Sequence, residues 1–159
     1  MCIRDRDGSL LVEEYFNLTG SYRGYERIIN YKNSNASRFN INASSYGGST
    51  AHNGSGIEIL EIGGVDTYFN GDFANLNVDD FTYDDEAEKG DYGVYNYDTT
   101  SSGKDIMIYN PSRKNKAFYL KYRINDMGIL FNDVGEIGWN VIGNEFKEDI
   151  YNSFMETVG

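Results

Sequence analysis

A glycine-bracketed apolar segment at residues 54–64, GSGIEILEIGG, is the feature that most constrains the fold. Its apolar and β-branched residues predict a buried strand between two turns. In a regular strand, Ile57 and Ile59 would face one side, whereas Leu60 and Ile62 would face the other. The strand therefore needs either a bulge near Ile59 and Leu60, or cover on both faces with its two glutamates near an open edge.

The rest of the chain repeats this plan with weaker signals. Short runs of Ile, Val, Phe and Tyr alternate with clusters of Gly, Asn, Asp and Ser at intervals of about eight to twelve residues, which is typical of an all-β fold. The predicted strands are 10–18, 25–31, 39–43, 54–64, 67–69, 72–78, 81–83, 92–97, 106–109, 117–124, 128–131 and 137–142. Short connections predict an antiparallel meander for the three strands between residues 92 and 124. Apolar residues spaced four apart predict an amphipathic helix over residues 144–156.

Composition limits the possible partners and compartments. The chain has 159 residues and a formal charge of −11, so it supports one domain whose surface repels phosphate backbones. We therefore expect no nucleic-acid partner. The single Cys2 excludes a disulfide within the chain, and no stretch approaches the roughly 20 apolar residues of a membrane-spanning helix. Residues 10–12 are too short for the core of a signal peptide, so an exported protein would be represented here by an internal fragment.

Several segments together resemble the C-terminal region of an autotransporter passenger domain, the pertactin-like right-handed β-helix. The resemblance lies in residues 18–24, 39–48, 56–64, 90–97 and 118–120, taken in that order. Thr99 and Phe118 depart from the leucine and tryptophan of that family. The resemblance implies a surface-displayed, non-enzymatic fragment that caps the β-helix and assists passenger folding during export, with adhesion as a further role. It also implies a cell-surface or extracellular location in a Gram-negative bacterium. The implied partners are the rest of the passenger, a downstream outer-membrane barrel, and a host glycan or protein.

The resulting fold prediction is all-β. Residues 1–6 resemble a translated sequencing adapter and are set aside; residues 7–91 would form parallel β-solenoid rungs, 92–142 an antiparallel β cap, and 143–159 a helix or linker. The alternative is an antiparallel β-sandwich. Strand direction distinguishes the two, because solenoid rungs pair in parallel with the next repeat.

Six tyrosines of the predicted cap form the candidate contact surface for a ligand or partner, because aromatic rings exposed in a row can stack on sugar rings. They are Tyr92, Tyr95, Tyr97, Tyr109, Tyr119 and Tyr122. The alternative interpretation is that these tyrosines pack in the hydrophobic core. If the fold is a sandwich, this surface predicts a carbohydrate-binding module.

We expect neither catalysis nor a cofactor. His52 lies in a glycine- and serine-rich loop without a nucleophile frame such as G-x-S-x-G, and is interpreted as a solvated loop residue. The acidic residues of 79–91 could supply oxygen ligands to Ca²⁺, but they lack the spacing of a calcium loop, so we interpret them as a solvated loop and predict no metal site. A hydrolase would require two of these carboxylates to converge at roughly 5–10 Å.

Overall fold

The computed structural model describes residues 8–18, 24–33, 39–41, 52–109, 117–131 and 135–137. These residues form strands and one short 3₁₀ turn, so the all-β prediction is confirmed for this part of the chain. The strands are β1 (Leu10–Asn17), β2 (Gly24–Asn30), β3 (Phe39–Ile41), β4 (Gly56–Val65), β5 (Asp79–Asp80), β6 (Thr82–Tyr83), β7 (Val94–Thr99), β8 (Gly103–Tyr109), β9 (Ala117–Asn125), β10 (Gly128–Phe131) and β11 (Gly135–Ile137).

The first sheet has the order β1-β9-β4-β5 and is antiparallel throughout. Strand β9 lies at its centre, between β1 and β4. The β4–β9 register shifts between Ile59 and Glu61, so the bulge, the first of the two alternatives for the glycine-bracketed segment, is present. Leu60 is the extra residue, and 40% of it is exposed. The extra residue shifts the alternation of side chains by one position. As a result, Ile57, Ile59 and Ile62 all pack with the core.

The second sheet has the order β2-β8-β7-β6, with antiparallel pairs except for the parallel β6–β7 pair. A smaller third sheet has the order β11-β10-β3, and its β3–β10 pair is also parallel. The chain passes from the first sheet to the second at Phe81. The N–H of Phe81 donates to the carbonyl of Ile62, and the next N–H, of Thr82, donates to Gly93.

Alternate residues of both four-stranded sheets form one core between them. The fully buried side chains come from β1, β2, β4, β8, β9 and the turn after β9: Leu10, Val12, Ile29, Ile62, Ile106, Ile108, Phe118, Leu120, Tyr122, Ile124 and Met127. Burial of these apolar groups is the main stabilising contribution to such a fold. Two sheets with a shared apolar layer fit the sandwich alternative.

The β-solenoid prediction is therefore wrong. A solenoid rung pairs in parallel with the rung one repeat away, whereas β1 pairs antiparallel with β9, and β2 pairs antiparallel with β8. The proposed division into residues 7–91 and residues 92–142 was based on the solenoid. The boundaries of these two regions stay predictions. Residues 1–6 and the predicted helix within 143–159 lie outside the described residues.

The predicted three-strand meander is correct only for its first pair. Strands β7 and β8 form an antiparallel pair, but β9 joins the other sheet. The reason is burial: its Phe118, Leu120, Tyr122 and Ile124 are all at most 1% exposed, and they face the core from the first sheet.

The strand predicted at 72–78 is a 3₁₀ turn over Phe73–Asn75. The Asp72 carboxylate accepts hydrogen bonds from the backbone N–H of Ala74 at 3.1 Å and from the Asn75 side chain at 2.7 Å. The Asp72 N–H in turn donates to the Asn70 side chain. These local hydrogen bonds compete with a β ladder and close the segment into a turn.

The segment 66–78 covers part of the outer face of the first sheet. Phe73, Leu76 and Val78 pack there against Val65, Ala117 and Tyr119. Gly63 permits this approach, since a Cβ at that position would lie 2.4 Å from Val78 Cγ1 and 2.5 Å from the Asp79 carbonyl oxygen. Glycine is thus required where β4 meets the returning chain.

Candidate functional site

The structure divides the six predicted contact tyrosines among different faces. Tyr119 and Tyr122 lie on opposite faces of β9, and both are buried, with 3% and 0% exposed. The Tyr119 ring packs against the Phe73 ring of segment 66–78, with 6.0 Å between the two ring centroids. Its hydroxyl donates to Glu13 Oε1 at 2.5 Å. These two residues belong to the packed interior and cannot contribute to an exposed contact surface.

Tyr109 and Tyr92 lie apart from the others. The Tyr109 hydroxyl accepts a hydrogen bond at 3.2 Å from Asn96, which also donates to the carbonyl of Ala87. This bond ties the acidic loop to the face of the second sheet that points away from the core. Tyr92 is 36% exposed, and its ring meets Phe81 edge to face at 5.9 Å between centroids.

Tyr95 and Tyr97 on β7 meet Tyr83 on the edge strand β6. The register pairs Tyr83 with Tyr95, so their side chains lie on the same face. The Tyr83 ring centroid lies 5.7 Å from that of Tyr95 and 5.0 Å from that of Tyr97. Tyr83 is 45% exposed, whereas Tyr95 and Tyr97 are half-buried against the core. We call these three residues, with Lys104, the tyrosine cluster.

Lys104 lies on the cluster from the neighbouring strand β8. Its Nζ is 3.5 Å from the centroid of the Tyr97 ring, within the range of a cation–π contact. The same ammonium donates to Thr99 Oγ1 at 3.2 Å. One ring face of the cluster therefore already binds a cation.

Loss of the hydroxyl proton is disfavoured at two tyrosines of the cluster. Loss of solvent, followed by the charges of Tyr97, Asp85, Asp84 and Asp98, raises the pKa of Tyr83. Loss of solvent on burial, followed by Tyr97 and Tyr83, raises the pKa of Tyr95. The hydroxyls of Tyr83 and Tyr95 therefore stay protonated at neutral pH and are available as both donors and acceptors.

A second polar group, made by Glu14, Arg27 and Tyr122, lies between the sheets. Arg27 donates to Glu14 through Nε at 3.0 Å and through Nη2 at 2.8 Å, and the Tyr122 hydroxyl donates to the same carboxylate at 2.7 Å. Burial alone would lower the pKa of Arg27, but the hydrogen bonds and charge of Glu14 outweigh it and raise that pKa. The side chains of Arg27 and Glu14 are only 6% and 8% exposed. This closed group links β1, β2 and β9 and offers no access to a ligand.

The remaining sequence candidates have structural contacts. His52 is 4% exposed, so its interpretation as a solvated loop residue is wrong; its backbone N–H donates to the Asn33 side chain. In the acidic loop, Asp84 accepts from the N–H of Glu86, and Asp91 from that of Glu88. Within the ranges that the structure describes, no group of three His, Cys, Asp or Glu side chains is placed to hold a metal ion.

Sequence reasoning missed Tyr83 and Lys104. Tyr83 belongs to the predicted strand 81–83, which lies outside the predicted cap from which the candidate tyrosines come. The alternation of Phe81 and Tyr83 was the available signal. It placed both rings on one face, but it did not show that the β7 tyrosines would lie beside them.

A comparison with protein families matches residues 4–156 to the N-terminal domain of a family described as "Predicted membrane protein (DUF2207)". This match spans nearly the whole chain. The chain belongs to this family. The searches of curated proteins and of solved structures found no match. Among the described residues, no helix has the length and hydropathy needed to cross a membrane.

The family match overturns the resemblance to autotransporter passengers. The quoted motifs consist of Gly, Tyr and Ile, which recur in many β proteins, and the two that fall on β4 and β9 lie in an antiparallel pair rather than in rungs. The β-helix, passenger and autochaperone assignments are therefore wrong. The description of the family agrees with a membrane-associated location, and it specifies neither the cell surface nor a Gram-negative bacterium.

Proposed function

We propose that this chain is a non-enzymatic, carbohydrate-binding β-sandwich module of a membrane-associated protein, and that the tyrosine cluster is its ligand face. A module that binds glycans outside the cell would be displayed at the cell surface. The observation that carries the proposal is the contact of three tyrosine rings at 5.0 and 5.7 Å on an exposed strand edge.

Ring geometry supports a sugar as the ligand. Sugar rings present C–H groups on one face and hydroxyls around the rim, so an aromatic face and nearby polar atoms suit both parts. The cluster has both, because its three rings carry hydroxyls and Thr99, the hydrogen-bond partner of Lys104, adds another at the Tyr97 end. The rings of Tyr95 and Tyr97 are held by packing against the core, which lowers the entropy lost on binding.

Charge narrows the choice of glycan. The formal charge of the chain is −11, and Asp84, Asp85 and Asp98 act on Tyr83. Acidic polysaccharides would be repelled by this field. Neutral or positively charged glycans are therefore the proposed ligands, and a protein partner at this face is the competing outcome.

Binding of the purified chain to a panel of neutral and amino-bearing oligosaccharides, followed by calorimetry, tests the proposal. We expect Tyr83→Ala and Tyr97→Ala each to weaken binding by at least about ten-fold, as for central aromatic contacts in an interface. Tyr68→Ala is the matched control, because Tyr68 is 83% exposed and lies on the segment that covers the other sheet. Equal losses in all three variants, or no binding by the unmodified chain, would contradict the proposal.

A further inference from the structure

Two Asn-Gly dipeptides occur in the chain, at residues 53–54 and 70–71. An asparagine that precedes glycine is prone to lose its side-chain amide, because glycine has no Cβ to hinder attack of its own peptide nitrogen on the preceding carboxamide carbon. The attack needs a backbone that can rotate and a glycine N–H that is not held in a hydrogen bond. The two dipeptides differ in both respects.

The first dipeptide is held in the packed interior. Gly54 is buried, and its N–H donates to the Tyr31 carbonyl at 2.7 Å. The space around it is filled, since an added Cβ would lie 2.9 Å from Met127 Sδ and 3.0 Å from Ile124 Cγ2. Attack by the Gly54 nitrogen would break that hydrogen bond and move this backbone. Reaction at Asn53 therefore requires local opening of the fold.

The second dipeptide is open to solvent. Asn70 and Gly71 are exposed, Gly71 has a φ of 90°, and nothing lies within 4 Å of the place where a Cβ would be. Within the described residues, the Gly71 N–H donates to no backbone carbonyl. The N–H of Asp72 donates to Asn70 Oδ1 at 2.9 Å, which folds the carboxamide back over the Gly71 peptide. The same donor stabilises the negative charge that this oxygen acquires when a nucleophile adds to Cγ.

From this contrast we infer that Asn70 is a site of spontaneous deamidation, and that its isoaspartate product loosens segment 66–78 from β9. The Gly71 nitrogen gives its proton to a solvent base and bonds to Asn70 Cγ; the Cγ–Nδ2 bond breaks, and Nδ2 leaves as ammonia. Water then opens the succinimide at either of its two carbonyls, which gives aspartate or isoaspartate. Isoaspartate adds a methylene to the main chain and displaces the acceptor of the Asp72 N–H.

The place of Asn70 in the covering segment gives the reaction a structural consequence. Asn70 follows Phe69, whose ring stacks on Tyr15 at 4.7 Å between centroids, and it precedes the 3₁₀ turn, whose Phe73 packs on Tyr119 at 6.0 Å. The rings of Phe69 and Phe73 also contact each other at 4.7 Å. A longer main chain between them changes the spacing of these contacts, whereas aspartate keeps it.

Incubation of the purified full chain at mildly alkaline pH, followed by peptide mapping with mass spectrometry, tests the site. In the folded chain we expect Asn70 to react at least about ten-fold faster than Asn53, because Asn53 reacts only after local opening. In urea the two rates should converge, since the protection of Asn53 depends on the fold. Asn70→Gln is the matched control, because glutamine must close a larger ring and should leave residue 70 intact.

The site and its consequence fail separately. Similar rates at Asn53 and Asn70 in the folded chain, or a difference that persists in urea, would overturn the site. The aspartate and isoaspartate forms are then separated, and urea unfolding of each is compared with that of the fresh chain and of Asn70→Asp. We expect a lower midpoint for the isoaspartate form alone. Equal midpoints for all of them would overturn the loosening of segment 66–78.

Discussion

Strands β9 and β7 both carry two tyrosines, yet they place them in opposite environments. β9 lies at the centre of its sheet, and Tyr119 and Tyr122 are buried on its two faces. β7 has only the two-residue strand β6 beyond it, and Tyr95 and Tyr97 remain half-exposed next to Tyr83. Both strands carry two tyrosines, so the difference in exposure follows from the position of each strand in its sheet and from what covers its faces.

The covering groups account for this difference. On β9, the segment 66–78 closes one face, and the second sheet with Glu14 and Arg27 closes the other. On β7, the rings meet an edge strand and one lysine. A tyrosine in a β-strand is therefore a core residue or a contact residue according to what the rest of the chain places over it.

The largest effect is expected from breaking the buried polar group beneath β9. Glu14→Leu leaves the Arg27 guanidinium buried without its counter-charge, and should lower the free energy of unfolding by about 3–5 kcal/mol. Urea denaturation measures this change. The double variant Glu14→Leu with Arg27→Met removes both charges and should recover most of the loss. An equal loss in the single and double variants would show that packing, and not the unpaired charge, sets the cost.

A smaller effect is expected from uncovering the other face of β9. Phe73→Ala removes a half-buried ring that packs on Tyr119 and Phe69, and should cost about 2 kcal/mol, less than for a fully buried phenylalanine. The matched variant Tyr83→Ala truncates a ring of the exposed cluster and should leave the midpoint of urea unfolding nearly unchanged. Comparable losses in these two variants would contradict the distinction between the two strands.

The smallest effect concerns the proton on Tyr122. Burial, followed by the negative charge of Glu14, raises the pKa of Tyr122 above its ordinary value near 10. Below pH 10 both folded and unfolded states hold this proton, so its contribution to stability is fully present. Above pH 10 the unfolded state releases it first, and stability falls by up to about 1.4 kcal/mol per pH unit.

The variant Tyr122→Phe removes this dependence. At neutral pH it should be less stable by about 1 kcal/mol because the hydrogen bond to Glu14 is lost. As the pH rises above 10, its free energy of unfolding should approach that of the unmodified chain. Urea unfolding at a series of pH values measures both curves, and parallel curves would mean that Tyr122 does not carry the alkaline instability.

The local features of this protein could be predicted from sequence. The alternation of apolar and polar residues placed β1, β2, β4, β7, β8 and β9 close to their observed bounds, because the period of two identifies a half-buried strand wherever it pairs. The change of face between Ile59 and Leu60 left two alternatives, a bulge or a strand covered on both faces, and the register shift shows that the bulge is present. The failure at 72–78 was also local, because Asp72 and Asn70 form hydrogen bonds that stop a strand.

Only the tertiary structure decided which strands pair and which tyrosines are exposed. β1 and β9 are separated by about a hundred residues, and no local pattern specifies that pairing; the same glycine and tyrosine motifs fit a parallel ladder and an antiparallel sandwich. Burial of Tyr119 depends on Phe73, and exposure of Tyr83 depends on its place on an edge strand. The sequence by itself therefore determined most of the strands, whereas the long-range packing of the two sheets decided the core and the candidate site.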